Sequence, residues 1–189
     1  LWRQSLTGEP ATLLTAHGPE RTAVSPCASP DGASVAYVLD TETVHRLTLA
    51  SRRSRRIDDG THDFCLDPWI EADGTAVRWM AWDVPDMPWD ASVVQRIGAR
   101  GEVIDVLRTG RCVQQPRTLP DGRSIAVRDD HGWLNVWVDE QPLVAEQFEH
   151  AGPSWGAGQR SYAWSPDGRF VAFTRNERGF GRLCVVDVE

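Results

Sequence analysis

A chain of 189 residues is long enough to bury one mid-sized core or two small ones. Its 41% apolar and 25% charged content excludes disorder and an extended coiled coil, and no apolar run approaches the ~20 residues that cross a bilayer. The net charge of −7 and a pI near 5.2 exclude a nucleic-acid binder held by phosphate contacts, so neither nucleic acid nor membrane is expected as a partner.

The chain opens on Leu1-Trp2-Arg3-Gln4 with no basic and apolar leader, which reads as the cut end of a fragment. Residues 1–6 and 11–15 have the look of two short strands. From there a repeat takes over. It runs through Ser29-Pro30-Asp31-Gly32, Glu71-Ala72-Asp73-Gly74, Leu119-Pro120-Asp121-Gly122 and Ser165-Pro166-Asp167-Gly168, with glycines 42, 48 and 46 residues apart. Each Asp-Gly predicts a tight turn, because glycine tolerates positive φ and the aspartate bonds back to the local backbone. Each is followed by a short β-branched or aromatic run, at residues 34–38, 76–80, 124–127 and 170–173, without helical spacing.

Further strands are expected at residues 43–50, 55–58, 92–97, 103–108, 134–138 and 143–146, and a last one at 183–188. Four strands in about 45 residues is the period of a β-propeller blade. The expected fold is therefore all-β: a propeller of four-stranded antiparallel blades forming an incomplete ring of three whole and two partial blades. Residues 1–15 would end one blade, residues 25–60, 62–109 and 111–148 would make whole ones, and 160–189 a partial one. A closed four-bladed ring is the alternative.

Antiparallel strands send their connections alternately to two faces. The Asp-Gly turns, uniformly tight, share one face with the basic hairpin Ser51-Arg52-Arg53-Ser54-Arg55-Arg56. The other face carries two long connections, at residues 83–90 and 150–158, and two short loops, at residues 129–133 and 176–180; long loops are where function concentrates. There the sequence places Asp83-Val84-Pro85-Asp86-Met87-Pro88-Trp89-Asp90, Asp129-Asp130-His131-Gly132-Trp133, His150-Ala151-Gly152-Pro153-Ser154-Trp155-Gly156-Ala157-Gly158 and Asn176-Glu177-Arg178-Gly179-Phe180. Aromatic groups beside acids suit peptide contacts. The candidate substrate-entry or interdomain residues are Asp86, Met87, Trp89, Asp90, His131, Trp133, Trp155 and Glu177. The competing reading is that Trp89 and Trp133 wedge between blades and the acids cap loops.

The four cysteines, Cys27, Cys65, Cys112 and Cys184, form no C-x-x-C pair and have no zinc-finger spacing to a histidine. They are read as small buried hydrophobes in a reducing, cytoplasmic protein. The sequence contains no G-x-S-x-G, H-E-x-x-H, P-loop or G-x-G-x-x-G motif. No catalytic residue, metal site or cofactor is expected in this chain.

The stretch Trp79-Met80-Ala81-Trp82-Asp83-Val84-Pro85-Asp86-Met87-Pro88-Trp89-Asp90 resembles a characteristic segment of the propeller in S9-family serine peptidases, the prolyl oligopeptidase clan. It is most similar to the acylaminoacyl-peptidase and dipeptidyl-aminopeptidase-like branch. Gly132-Trp133-Leu134-Asn135-Val136, Ser161-Tyr162-Ala163-Trp164-Ser165 and Gly181-Arg182-Leu183-Cys184-Val185-Val186-Asp187 follow in the same order. Val84 and Asp86 depart from the residues frequent in that segment, and Glu71 and Leu119 break two of the Ser-Pro-Asp-Gly repeats. The resemblance implies a parent enzyme whose α/β-hydrolase domain, absent from this chain, carries the catalytic triad. The propeller would gate access of short peptides or aminoacyl amides to it, with that domain and the peptide as partners. A TolB-like propeller that binds a protein partner, with no enzymatic domain, is the alternative.

Overall fold

Alternating apolar positions and glycine-bearing turns produce strands throughout, and among the described residues of the computed structural model, 1–188, there is no helix. No helix is thus long and apolar enough to cross a membrane. Strands β1 (Trp2–Arg3) and β2 (Thr12–Leu13) form a two-stranded ribbon. The first full sheet contains β3 (Ala23–Ala28), β4 (Ser34–Leu39), β5 (Thr43–Thr48) and β6 (Arg53–Arg56). The second contains β7 (Phe64–Ile70), β8 (Val77–Trp82), β9 (Val93–Ile97) and β10 (Val103–Arg108). The third contains β11 (Val113–Thr118), β12 (Ser124–Arg128), β13 (Asn135–Val138) and β14 (Gln141–Pro142). A three-stranded sheet follows, from β15 (Tyr162–Trp164), β16 (Phe170–Glu177) and β17 (Phe180–Asp187). Within every sheet the strands pair antiparallel in chain order. These are the blades of a β-propeller.

The four Asp-Gly turns are built alike. Gly32, Gly74, Gly122 and Gly168 all have φ between +68° and +92°, a region closed to most side chains. The carboxylates of Asp31, Asp73, Asp121 and Asp167 accept the backbone N–H two residues on, at 2.9–3.1 Å. These hydrogen bonds, joined by the Ser29, Thr75 and Ser165 hydroxyls, hold all four carboxyls below the usual aspartate range. The two irregular repeats have structural causes. Leu119 is buried among Ile125, Val127 and Phe173. Glu71 sits between Arg78 at 2.5 Å and Arg96 at 2.8 Å. Burial pushes Glu71 up, but those two guanidinium groups outweigh it and hold the carboxyl low.

The core lies between blades rather than inside any one of them. Alternation along each strand sends successive side chains to opposite neighbours. Val77, Trp79 and Ala81 of β8 meet Ala36, Val38 and Val44 of the first full sheet. Val94 of β9 meets Val113 and Ala126 of the third. Ile125, Val127 and Val136 meet Val171, Phe173 and Tyr162 of the three-stranded sheet. Cys65 belongs to this packing and Cys27 and Cys184 lie against it; Cys65 and Cys112 are buried and their thiols are pushed up to about 12 by burial.

One local expectation is corrected. Residues 143–146 do not form a strand. The fourth strand of the third sheet is only Gln141–Pro142, and its pairing with β13 ends where Leu143 N donates to Val136 O at 2.8 Å. The chain beyond it is held by the Asn135 side chain, which accepts from Glu146 N at 3.1 Å and donates to Phe148 O at 3.0 Å. The short loop expected at residues 176–180 is a tight hairpin, with Glu177 paired to Phe180. Arg178 (φ 54°) and Gly179 (φ 88°) make a two-residue turn whose twist suits long paired strands.

One repeated feature places the site. The first strand of each full sheet carries a bulge, where the register shifts between Val24 and Cys27, Leu66 and Trp69, and Gln114 and Arg117. At each bulge a residue with positive φ, Ser25, Asp67 or Gln115, precedes Pro26, Pro68 or Pro116. A proline is tolerated there because the bulge leaves its position unpaired. The bulge turns the preceding side chain out of the strand's own alternation and toward the neighbouring blades.

Candidate functional site

The bulged side chains converge. Asp67 of β7, 6% exposed, accepts from Arg117 Nη2 of β11 at 2.9 Å and from Arg160 Nη1, just before β15, at 3.0 Å. Three blades thus meet at one carboxylate. Gln115 does the same one blade on, donating to Ser161 Oγ at 3.0 Å and accepting from Ser161 N at 2.8 Å. Around the ion cluster stand three aromatic rings. Trp69 lies under the Arg117 guanidinium at 5.1 Å and meets Trp164 edge-on at 5.9 Å. Its indole N–H donates to Thr118 Oγ1 at 2.9 Å. Tyr162 is buried, and its hydroxyl donates to the Gln115 carbonyl. Burial raises the Tyr162 hydroxyl well above its ordinary pKa. Trp69, Arg117, Arg160, Tyr162, Ala163 and Trp164 line a cleft of about 330 Å³.

The expected loop residues fall into separate groups. The loop between β8 and β9 is internally braced. Asp83 accepts from Asp63 N at 2.9 Å and pairs with His62 Nδ1 at 2.8 Å. Burial acts to raise the Asp83 carboxyl, but those two partners keep it low. Asp90 accepts the Met87 N–H at 3.2 Å, capping the loop's own turn. Trp89 packs on Trp155 with ring centroids 4.3 Å apart, joining this loop to the long connection that leads into β15. Met87 is exposed. Asp86 is exposed and lines a small cleft with His62, Trp82, Asp83, Ser92 and Arg108.

His131 and Trp133 lie one blade on. The His131 ring is 5.0 Å from Trp137, which also lies under Arg128 at 4.3 Å. Trp133 rims an open cleft with Phe148, Glu149, Asn176 and Arg178. Glu177 is spent on Arg175 at 3.0 Å and Arg182 at 3.5 Å. Among the described residues no hydrogen bond, ion pair or ring contact links the Trp89–Trp155 group to the Trp133 group.

Sequence reasoning missed Asp67, Arg117 and Arg160. The signal available was a proline six residues ahead of the turn glycine in three of the four repeats, at Pro26, Pro68 and Pro116.

A buried histidine braces the connection before β15. His150 is fully buried. Its Nδ1 accepts from Val136 N at 3.1 Å, so Nε2 carries the proton and donates to Glu146 Oε1 at 2.8 Å. Glu146 is shared with Arg175 at 3.1 Å. Desolvation lowers the His150 pKa below the ordinary 6.5, against the raising influence of Glu146. The unfolded chain therefore takes up this proton first as pH falls. Stability from the neutral imidazole is complete above about 6.5 and is lost between there and the lower folded value. An NMR titration of the His150 ring should give a midpoint below that of an unfolded-chain histidine; a midpoint above it would contradict this arrangement.

No protein-family model matches the chain, and no curated protein is similar to it in sequence. Solved structures do share its fold. A puromycin-hydrolyzing peptidase of Mycobacterium tuberculosis superposes with a TM-score of 0.81 at 23% identity, over 99% of this chain and 33% of that one. A puromycin hydrolase gives 0.75 at 22%, over 92% of this chain and 30% of that one. TolB from Acinetobacter baumannii gives 0.70 at 16%, over 97% and 45%. The chain spans about a third of the length of the first two. At these identities the likeness is one of fold, and the fold is the propeller.

Proposed function

We propose that this chain is the non-catalytic propeller region of an S9-family serine peptidase acting on short peptides or aminoacyl amides, where it limits access to a hydrolase domain. The supporting observation is the fold likeness to the puromycin-hydrolyzing peptidase across 99% of the chain, in a sequence that also carries the Trp-Asp-Val-Pro-Asp-Met-Pro-Trp-Asp segment. On this reading the braced β8–β9 loop, with Asp86 and the Trp89–Trp155 pair, faces the hydrolase domain. Rigid aromatic area beside an unspent carboxylate suits a peptide's backbone and its amine. His131, Trp133 and Glu177 would form the rim one blade further round.

Two measurements test this. The protein from its natural source should take one serine-directed fluorophosphonate adduct and hydrolyse aminoacyl amides. A protein that takes no adduct and hydrolyses nothing sinks the peptidase reading. In the active protein, Trp89→Ala should lower kcat/KM for short peptides about ten-fold, the equivalent of one lost contact of ~1.4 kcal/mol. Unchanged kinetics would remove Trp89 from the entry. The TolB likeness over 97% of the chain favours a second reading, a protein-binding propeller without hydrolase activity, and the same labelling experiment separates the two.

A further inference from the structure

We infer that the cleft between the second full sheet and the three-stranded sheet, lined by Trp69, Arg117, Arg160, Tyr162, Ala163 and Trp164, binds the carboxylate of a peptide's C-terminal apolar residue. The argument begins with charge. Two guanidinium groups and one carboxylate meet there, in a chain whose overall charge is −7. Asp67 is fully engaged, since Arg117 Nη2 and Arg160 Nη1 both donate to it. One positive charge is left over, and it belongs to Arg160.

Arg160 Nη1 is committed to Asp67 and to Gln159 O at 2.6 Å. Its Nε and Nη2 have no protein acceptor among the described residues, and its side chain is 49% exposed. That edge of the fork is the geometry that takes a carboxylate through two parallel hydrogen bonds. Arg117, by contrast, is buried and turned onto Asp67 and Pro116 O, so it anchors the cluster and Arg160 presents it.

The walls choose what carries the carboxylate. Trp69 is fixed by its bond to Thr118 and Tyr162 by its bonds to Gln115 O and Ile125 O. Trp164 stands against both rings. Rigid aromatic walls beside a single cationic fork favour a flat or apolar group one residue in size, and an open cleft of about 330 Å³ accommodates one. The choice of a peptide as the carrier rests on the proposed function; the anion chemistry of the cleft does not.

The test uses the peptide Gly-Gly-Phe and its C-terminal amide, followed by calorimetry or chemical-shift titration. The protein should bind the acid at least about ten-fold more tightly than the amide, because the amide forfeits a charge-assisted pair. Arg160→Gln should weaken the acid by a similar factor and erase the discrimination. It should leave thermal unfolding close to that of the parent, because Asp67 keeps Arg117. Ala163→Leu, which fills the cleft from an exposed position, should weaken acid and amide together. No binding, equal binding of acid and amide, or an unchanged Arg160→Gln variant overturns the inference. Since fluorophosphonate labelling does not depend on Arg160, equal binding of acid and amide by the unaltered protein with labelling intact would reject the site and spare the peptidase reading.

Discussion

Replacing Asp67 by alanine is expected to cost about 3–5 kcal/mol of stability, the range for breaking a buried ion pair from one side. The side chains of Asp67 and Arg117 are 8% and 3% exposed. Without the carboxylate, Arg117 keeps only its bond to Pro116 O and is stranded as a buried charge. The loss is asymmetric. Arg117→Met should cost clearly less, because Asp67 retains Arg160, whose side chain reaches solvent. Asp67→Leu combined with Arg117→Met should recover much of the stability, since apolar replacement of a whole buried pair is often neutral. Urea unfolding midpoints of the four proteins decide this. If Asp67→Ala and Arg117→Met lose the same amount, the account of Arg160 as a second partner is wrong.

Trp79→Ala should lose a comparable amount, about 3–5 kcal/mol for the cavity alone. Trp79 is fully buried between the first and second full sheets, among Ala36, Val38, Val44 and Ile57. Its indole N–H also donates to Gln95 Oε1 at 3.1 Å. Gln95 is itself buried and donates to Thr61 Oγ1 and Asp105 Oδ1. Trp79→Phe keeps most of the volume and removes the bond, so its cost should be about 1–3 kcal/mol, the penalty of an unpaired buried acceptor. Because the core lies between blades, the alanine variant should loosen the contact of two sheets rather than melt one of them. Hydrogen exchange should therefore accelerate in β4 and β8 together. Acceleration confined to β8 would show that each blade is held by its own ladder.

The same inter-blade packing explains which features were readable in advance. The Asp-Gly turns, the strand runs behind them and their spacing near 45 residues are local signals. A turn's glycine and its aspartate act within four residues, so the repeat and the all-β propeller could be read from one chain. The residues around Leu143 depart from the expected strand for a local reason also. Apolar content at Leu143-Val144 imitates a strand, although the pairing ends with the bond from Leu143 N to Val136 O.

What the amino-acid sequence determined by itself, then, is the period, the turn chemistry and the strand-to-strand order within each sheet, because each depends on neighbours a few residues apart. The tertiary structure alone decided where charge and aromatic surface gather. Asp67, Arg117 and Arg160 are 50 and 43 residues apart in the chain, and each taken singly is an ordinary charged residue in a strand or loop. They become a cluster only because bulges at Asp67 and Gln115 turn side chains out of the usual alternation and because successive blades rotate their first strands toward one another. The eight loop residues separate into distinct groups for the same reason. Sharing a face of the disc is a property of strand direction, whereas touching depends on the angle between blades, and no local pattern records that angle.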